Sequence, residues 1–224
     1  HKPIYDEQWI WDGLAKHQAN YSMVLWFDSN DPKRLEQLKD FFASRPEGYK
    51  QHTIYVYNPW DGLGTLNKKS GEISPVMGES GKFAQELGNR IRDLAGCLDV
   101  MDEKLKRESS ILILHGLNRE QSGRDSLLSA LKAWAGSAEL INNRSLVILF
   151  GSACFALLDE ETRDLIARVE VPIGKDSEYK ELVDRFSHLY GITVEKDVVA
   201  KAIRGLNLHQ AEAVLLEAYW KTKS

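Results

Sequence analysis

Ser110-Ile111-Leu112-Ile113-Leu114-His115-Gly116 is the stretch whose reading decides the fold. Its four consecutive apolar residues show no polar alternation and are too few for a helix. They describe a strand buried on both faces, as in a parallel sheet covered by helices. Ser22-Met23-Val24-Leu25-Trp26-Phe27 and Ser145-Leu146-Val147-Ile148-Leu149-Phe150 have the same character. Thr53-Ile54-Tyr55-Val56-Tyr57 is β-branched and aromatic, the composition of a strand. Arg168-Val169-Glu170-Val171-Pro172 alternates and is ended by its proline.

Helical signals lie between these strands. Asp28-Ser29-Asn30-Asp31-Pro32 is a turn that places proline at the start of a helix. Leu35, Leu38, Phe41 and Phe42 then recur at helical spacing, and Arg45-Pro46-Glu47-Gly48 closes that helix. A long helix is expected from Lys82 to Arg107, with Phe83, Leu87, Ile91, Leu94 and Leu98 on one face. Leu127, Leu128, Leu131 and Trp134 mark another, and the stretch from Leu157 to Ala167 reads as a further helix. Residues 60–82, with Gly62, Gly64, Gly71, Pro75, Gly78 and Gly81, read as a loop.

Strands alternating with helices predict a three-layer α/β domain, a five-strand parallel sheet with helices on both faces. From Asp176 onward only helices are expected, over 176–189, 194–204 and 208–222. Thr193 is placed to cap the second of these, and Gly205 to end it. Asn207 is placed to cap the third, with Gln210 completing a capping box. The division expected is an N-terminal extension over 1–20, the α/β domain over 21–174 and a small helical lid subdomain over 175–224.

The chain has 224 residues, 43% hydrophobic and 28% charged, with a net charge of -4. That balance is ordinary for a globular protein and argues against a chain-wide nucleic-acid footprint. Cys97 and Cys154 sit in apolar contexts without metal-ligand spacing and read as buried free thiols, which fits a cytoplasmic location. No run of about 18 apolar residues suggests a transmembrane helix, and no signal peptide is visible. The chain opens at His1 rather than Met, which fits either a piece trimmed from a longer protein or a tag remnant.

The order of these phrases resembles an AAA+ module, a P-loop NTPase-type sheet followed by a helical lid. The Ser110–Leu114 strand and the Ser145–Phe150 strand, ending in Gly151-Ser152, look like the family's Walker B and sensor 1 strands. Leu158-Asp159-Glu160-Glu161 followed by Val169-Glu170-Val171-Pro172 looks like its run into the last strand. The stretch from Ile203 to Glu212 looks like its lid phrase. Val24-Leu25-Trp26-Phe27 and Trp60-Asp61-Gly62-Leu63 are similar to the degenerate N-terminal domain of one uncharacterised AAA+ family, known from cyanobacteria and plastids. That resemblance spans residues 22–220. The polar insert over 64–82 departs from the family pattern and leaves the subfamily open. The resemblance implies a domain that sits ahead of a catalytic AAA+ domain, in a protein that forms a ring.

The residues expected of a working ATPase are missing. A P-loop needs a glycine-rich turn after the first strand, with a lysine for the phosphates and a Ser or Thr for magnesium. Here that turn carries Asp28 and Asp31 and no glycine, and Lys33 comes too late. The third strand ends in His115-Gly116 instead of the Asp and Glu that hold magnesium and orient water. The turn that opens the third lid helix reads Leu208-His209-Gln210-Ala211, without an arginine. No cofactor and no catalytic residue are therefore expected.

Several lesser candidates stand beside this reading. Gly78, Gly81 and Lys82 imitate part of a P-loop, and the competing view is a loop entering a helix with Lys82 solvated. Ser152 occupies the sensor 1 place, where a hydroxyl as often satisfies a backbone group. His115 is placed as a base, although a lone histidine at a strand end is more often structural. Asp28, Asp31 and Asp61 lie past two strand ends and could gather magnesium, or stabilise a helix start and a turn. Trp9, Trp11 and Trp60 are candidates for packing an N-terminal helix or for a partner surface. The function expected is assembly, partner recruitment or regulation of an AAA+ ATPase. The alternatives are a clamp-loader-like subunit lacking a P-loop, a nucleotide-binding ATPase using Gly78–Lys82, and a metal-dependent enzyme using the three aspartates.

Overall fold

The apolar runs do pair as parallel strands, and a hairpin extends the sheet they form. A computed structural model describes residues 5–44, 46–77 and 90–223. The chain opens with α1 (Gln8–Asn20), β1 (Val24–Asp28), α2 (Pro32–Ala43) and β2 (Thr53–Asn58). Then come β3 (Gly62–Leu66), β4 (Ile73–Pro75), α3 (Leu94–Arg107) and β5 (Ser110–His115). The middle continues with α4 (Arg124–Ala135), α5 (Ala138–Asn143), β6 (Leu146–Phe150), α6 (Cys154–Leu157), α7 (Glu160–Leu165) and β7 (Ala167–Glu170). It ends with α8 (Asp176–Tyr190), α9 (Lys196–Ala202) and α10 (Leu208–Lys223).

The sheet order is β4-β3-β2-β5-β6-β1-β7. From β2 to β7 every pairing is parallel, with Val24 opposite Val147 and Leu25 opposite Ala167. Side chains alternate between two faces along each strand. Trp26, Tyr57, Leu112, Leu114, Val147 and Leu149 face α3 and α4. Leu25, Phe27, Ile54, Val56, Ile111 and Ile148 face α1 and α2. Both faces are covered, which is why the strands read as unbroken apolar runs. Trp134 on α4 is wholly buried, and its indole N–H donates to Asp102 at 2.8 Å. That bond removes the penalty of sinking an indole nitrogen. At the outer strand β7, Lys16 Nζ donates to the Arg168 carbonyl at 2.7 Å. A cation on this edge discourages a further strand from adding.

Four expectations need correction. Residues 60–82 are not a plain loop, because β3 and β4 form an antiparallel hairpin on β2. Among the described residues the sheet therefore has seven strands rather than five. The helix expected over 82–107 is interrupted at 90–93, and α3 begins at Leu94, where the Asp93 side chain caps it by accepting the Gly96 amide at 2.7 Å. Ile91 lies before that helix, and its carbonyl accepts the Leu63 amide at 2.8 Å. Phe83 and Leu87 lie outside the described residues. The single helix over 157–167 is two, because the Asp159 side chain accepts the Thr162 amide and starts α7 afresh. Finally, the N-cap residue of α9 is Glu195, without a side-chain cap bond, and not Thr193.

The C-terminal helices follow the sequence closely. Tyr179, Leu182, Phe186, Ile203, Leu208 and Leu215 form their own apolar cluster. Asn207 and Gln210 make the expected reciprocal capping box at α10, at 2.7 and 3.2 Å. Cys97 and Cys154 are free and buried.

Candidate functional site

Open α/β sheets bind ligands beyond the carboxyl ends of their strands, at the point where strand order reverses. In this chain that point lies between β1 and its neighbours β6 and β7. The turn after β1 is drawn tight. Ser29 Oγ accepts the Asp31 amide at 3.1 Å, and Asn30 Oδ1 accepts the Ser152 amide at 3.0 Å. Gly151 donates its amide to Phe27 at 3.1 Å, and its carbonyl accepts the Trp26 indole N–H at 2.8 Å. Ser152 is thus brought to the end of β1 by its backbone.

Asp31 is the centre of this region and is only 3% exposed. Its Oδ1 accepts the Lys33 amide at 3.0 Å, capping α2. Its Oδ2 accepts the Leu208 amide at 2.9 Å, and Oδ1 also accepts the His209 amide at 3.3 Å. Two helix N-termini, of α2 and α10, therefore converge on one carboxylate. A helix N-terminus favours an anion because its free amides and its dipole both point at it. Here the chain supplies that anion itself.

A second joint reinforces the first. Arg34 on α2 and Glu178 on α8 form a buried two-pronged pair at 2.7 and 2.8 Å. Their side chains are 0% and 2% exposed. Arg34 also donates to the carbonyls of Pro172 and Ile173 at 3.2 Å and to Gln37 at 2.9 Å. Glu178 accepts the amides of Asp6 at 3.0 Å and Lys175 at 2.8 Å. Every strong hydrogen-bonding direction of the pair is thereby used, the condition under which a buried ion pair is tolerated. Lys33 and Glu212 add a more exposed pair at 2.6 Å.

The three aspartates go to different partners. Asp28 accepts the guanidinium of Arg168, through Nε at 3.0 Å and a terminal nitrogen as well. That guanidinium also lies 5.0 Å from the centre of the Trp26 ring. Asp61 accepts the Asn58 amide group at 2.9 Å within a turn that leaves the Trp60 side chain 86% exposed. Among the described residues no group of three or more His, Cys, Asp or Glu is arranged to hold a metal ion. Trp9 packs edge-on to Phe27 in the core, and Trp11 packs edge-on to Phe41.

His115 ends β5 half-buried. Desolvation, assisted by the charge of Lys39, lowers its pKa to about 4, so the imidazole is neutral near pH 7. A neutral ring with a glycine beside it does not replace paired carboxylates. A nucleotide phosphate on the turn after β1 would face Asp28 and Asp31 and would find the α2 amides already engaged. Nucleotide and magnesium thus do not fit the described residues at this rim. Gly78, Gly81 and Lys82 lie outside the described residues.

The cap that Asp31 gives α2 was visible in the sequence as an aspartate before a proline. Its reach to α10 and the Arg34–Glu178 pair were not visible, since both join residues far apart in the chain.

The fold is that of the AAA+ type of P-loop NTPase, a largely parallel sheet followed by C-terminal helices. A structure of PCH-2 from C. elegans matches 96% of this chain at 13% identity, with a TM-score of 0.52, and 61% of that structure's length is covered. A mutant RuvB of Thermotoga maritima matches 93% of the chain at 15% identity, with a TM-score of 0.50, and 60% of it is covered. The chain therefore spans about three fifths of the length of these structures. At such identities the likeness establishes the fold alone. No protein-family model and no curated protein sequence matches the chain.

Proposed function

We propose that this chain is a non-catalytic AAA+-like module that assembles, recruits partners for, or regulates an AAA+ ATPase. Its partner on this reading is another protein or a catalytic AAA+ domain, within a full-length protein that forms a homo-oligomeric ring. Residues 175–224 are its lid and residues 21–174 its α/β body. The observation that carries the proposal is the Asp31 carboxylate, which accepts amides from the first turns of both α2 and α10. A phosphate would need that position, and a fixed carboxylate repels it. The neutral His115 at the end of β5 and the absence of arginine from the turn Leu208–Ala211 support the same reading. With lid and body joined by Asp31 and by Arg34–Glu178, the module presents one surface independent of nucleotide. Among the described residues no helix is long and apolar enough to cross a membrane.

Calorimetric titration with ATP and ADP in the presence of magnesium tests the proposal. No binding up to millimolar nucleotide is the expected result. Micromolar binding would overturn it, and loss of that binding in Lys82→Ala would assign it to the Gly78–Lys82 segment.

A further inference from the structure

The opposite rim of the sheet, at the amino-terminal ends of β1, β2 and β6, holds a cavity of about 410 Å3. That volume suits a small organic molecule. Its walls include His17, Gln18 and Tyr21 from the end of α1, Tyr49 before β2, and Ile141 and Arg144 from the end of α5. His17 is held by its Nδ1 against the Ser22 carbonyl at 3.1 Å. His52, behind Tyr49, places Nε2 2.7 Å from the Arg144 carbonyl and so braces the turn that carries Arg144.

Two features mark the cavity as a binding site. The first is conformational. Among the described residues only two that are not glycine have positive φ, Tyr21 at 52° and Arg144 at 54°. Both line this cavity. Each follows the end of a helix, where glycine is the common choice because a side chain there costs about 1 kcal/mol. The chain thus keeps an aromatic ring and a guanidinium at two positions whose backbone favours neither.

The second feature is chemical. The lining has apolar surface from Tyr21 and Ile141, backed by the buried Tyr49, and a polar end where Gln18 Nε2 reaches the Tyr49 hydroxyl at 3.4 Å. Among the described residues Arg144 is the one permanently charged residue of the lining, and none of them that line it carries a carboxylate, although the chain as a whole has a net charge of -4. A guanidinium binds a carboxylate with two parallel hydrogen bonds.

We propose that this cavity binds a small aromatic carboxylic acid, its ring against Tyr21 and Ile141 and its carboxylate on Arg144. The site lies at the far rim from Asp31 and stands whether or not nucleotide binds there. The test is calorimetry with indole-3-carboxylate and its neutral counterpart, indole-3-carboxamide. The acid should bind at least tenfold more tightly than the amide. Arg144→Gly removes the guanidinium and relieves the positive φ, so the variant should fold with an unchanged or higher melting temperature and lose the preference for the acid. Absence of binding by either probe at millimolar concentration overturns the proposal. So does equal binding of the two, or an acid affinity unchanged in Arg144→Gly.

Discussion

The Leu208 amide donates to the Asp31 carboxylate at 2.9 Å, tying the first turn of α10 to the turn that follows β1. The two residues are far apart in sequence, and the carboxylate is nearly without solvent contact. Replacing Asp31 with alanine strips the cap from α2 and leaves the Leu208 amide without its acceptor. A lost cap costs about 1 kcal/mol and a buried unpaired donor about 1–3 kcal/mol. The expected loss is therefore about 2–4 kcal/mol in denaturant unfolding, with faster hydrogen exchange at Leu208 and His209. A loss under about 0.5 kcal/mol, the range of an ordinary surface change, would show that the two helices hold without this joint.

The Arg34–Glu178 pair should behave unequally in single and double variants. Arg34→Met leaves a buried carboxylate, and Glu178→Leu leaves a buried guanidinium, 0% exposed in the intact protein. Each single change should cost about 3–5 kcal/mol, whereas the double variant should recover much of that, since no charge then stays buried. A double-mutant cycle from urea midpoints measures this. Additive losses would mean that the hydrogen bonds to Pro172, Ile173 and Asp6 matter more than the pair itself.

Acid should destabilise the fold in a defined window. The folded pKa of His115 is depressed to about 4 by burial, below an ordinary value of roughly 6.5. The unfolded chain therefore takes up its proton first as pH falls. The associated stability is present above pH 6.5 and is lost on acidification towards pH 4, by at most about 3 kcal/mol. His17 and His52, whose pKa values burial also lowers, act in the same direction. Unfolding free energies measured from pH 7.5 to 4 should fall, and His115→Gln should flatten part of that fall. An unchanged slope in the variant would mean that His115 is solvated.

Both thiols should be silent in the folded protein. Burial raises the Cys97 pKa, and it pushes Cys154 up to about 12 with help from the charge of Asp28. Thiolate is the reactive form, so a chromogenic disulfide reagent at pH 8 should titrate neither cysteine until denaturant is added. Reaction within minutes under native conditions would indicate that α3 or α6 opens readily.

The parallel strands were legible because a strand buried on both faces must be apolar throughout, as Leu146–Phe150 is. The β3–β4 hairpin was not, because its sequence carries the signals of a loop. Gly64 is a glycine for packing reasons: a Cβ there would lie 2.3 Å from the Ile73 side chain. At Gly62, with φ of +79°, a Cβ would meet the Ile91 carbonyl at 2.5 Å. Close strand approach thus demands the residues that otherwise mark turns. Ile91 misled in the opposite way, keeping helical spacing with Leu94 and Leu98 while its backbone serves the hairpin. At the candidate site Asp28 and Asp31 after β1 and His115 at the end of β5 could be read directly, since they are matters of residue type. The pairing of Arg34 with Glu178 could not, because on two separate amphipathic helices each looks like a solvated charge.

The position of β1 in the sheet sets a constraint on the order in which the molecule can be made. Its two neighbours, β6 and β7, lie about 120 and 140 residues downstream. As the polypeptide leaves the ribosome, Val24–Phe27 must wait, unpaired and apolar, until β6, about 120 residues later, has been synthesised. At roughly 5–20 residues per second that wait lasts on the order of ten seconds. Chaperone dependence during synthesis, and slow refolding from denaturant, are the expected costs of placing the first strand so late in the sheet's assembly.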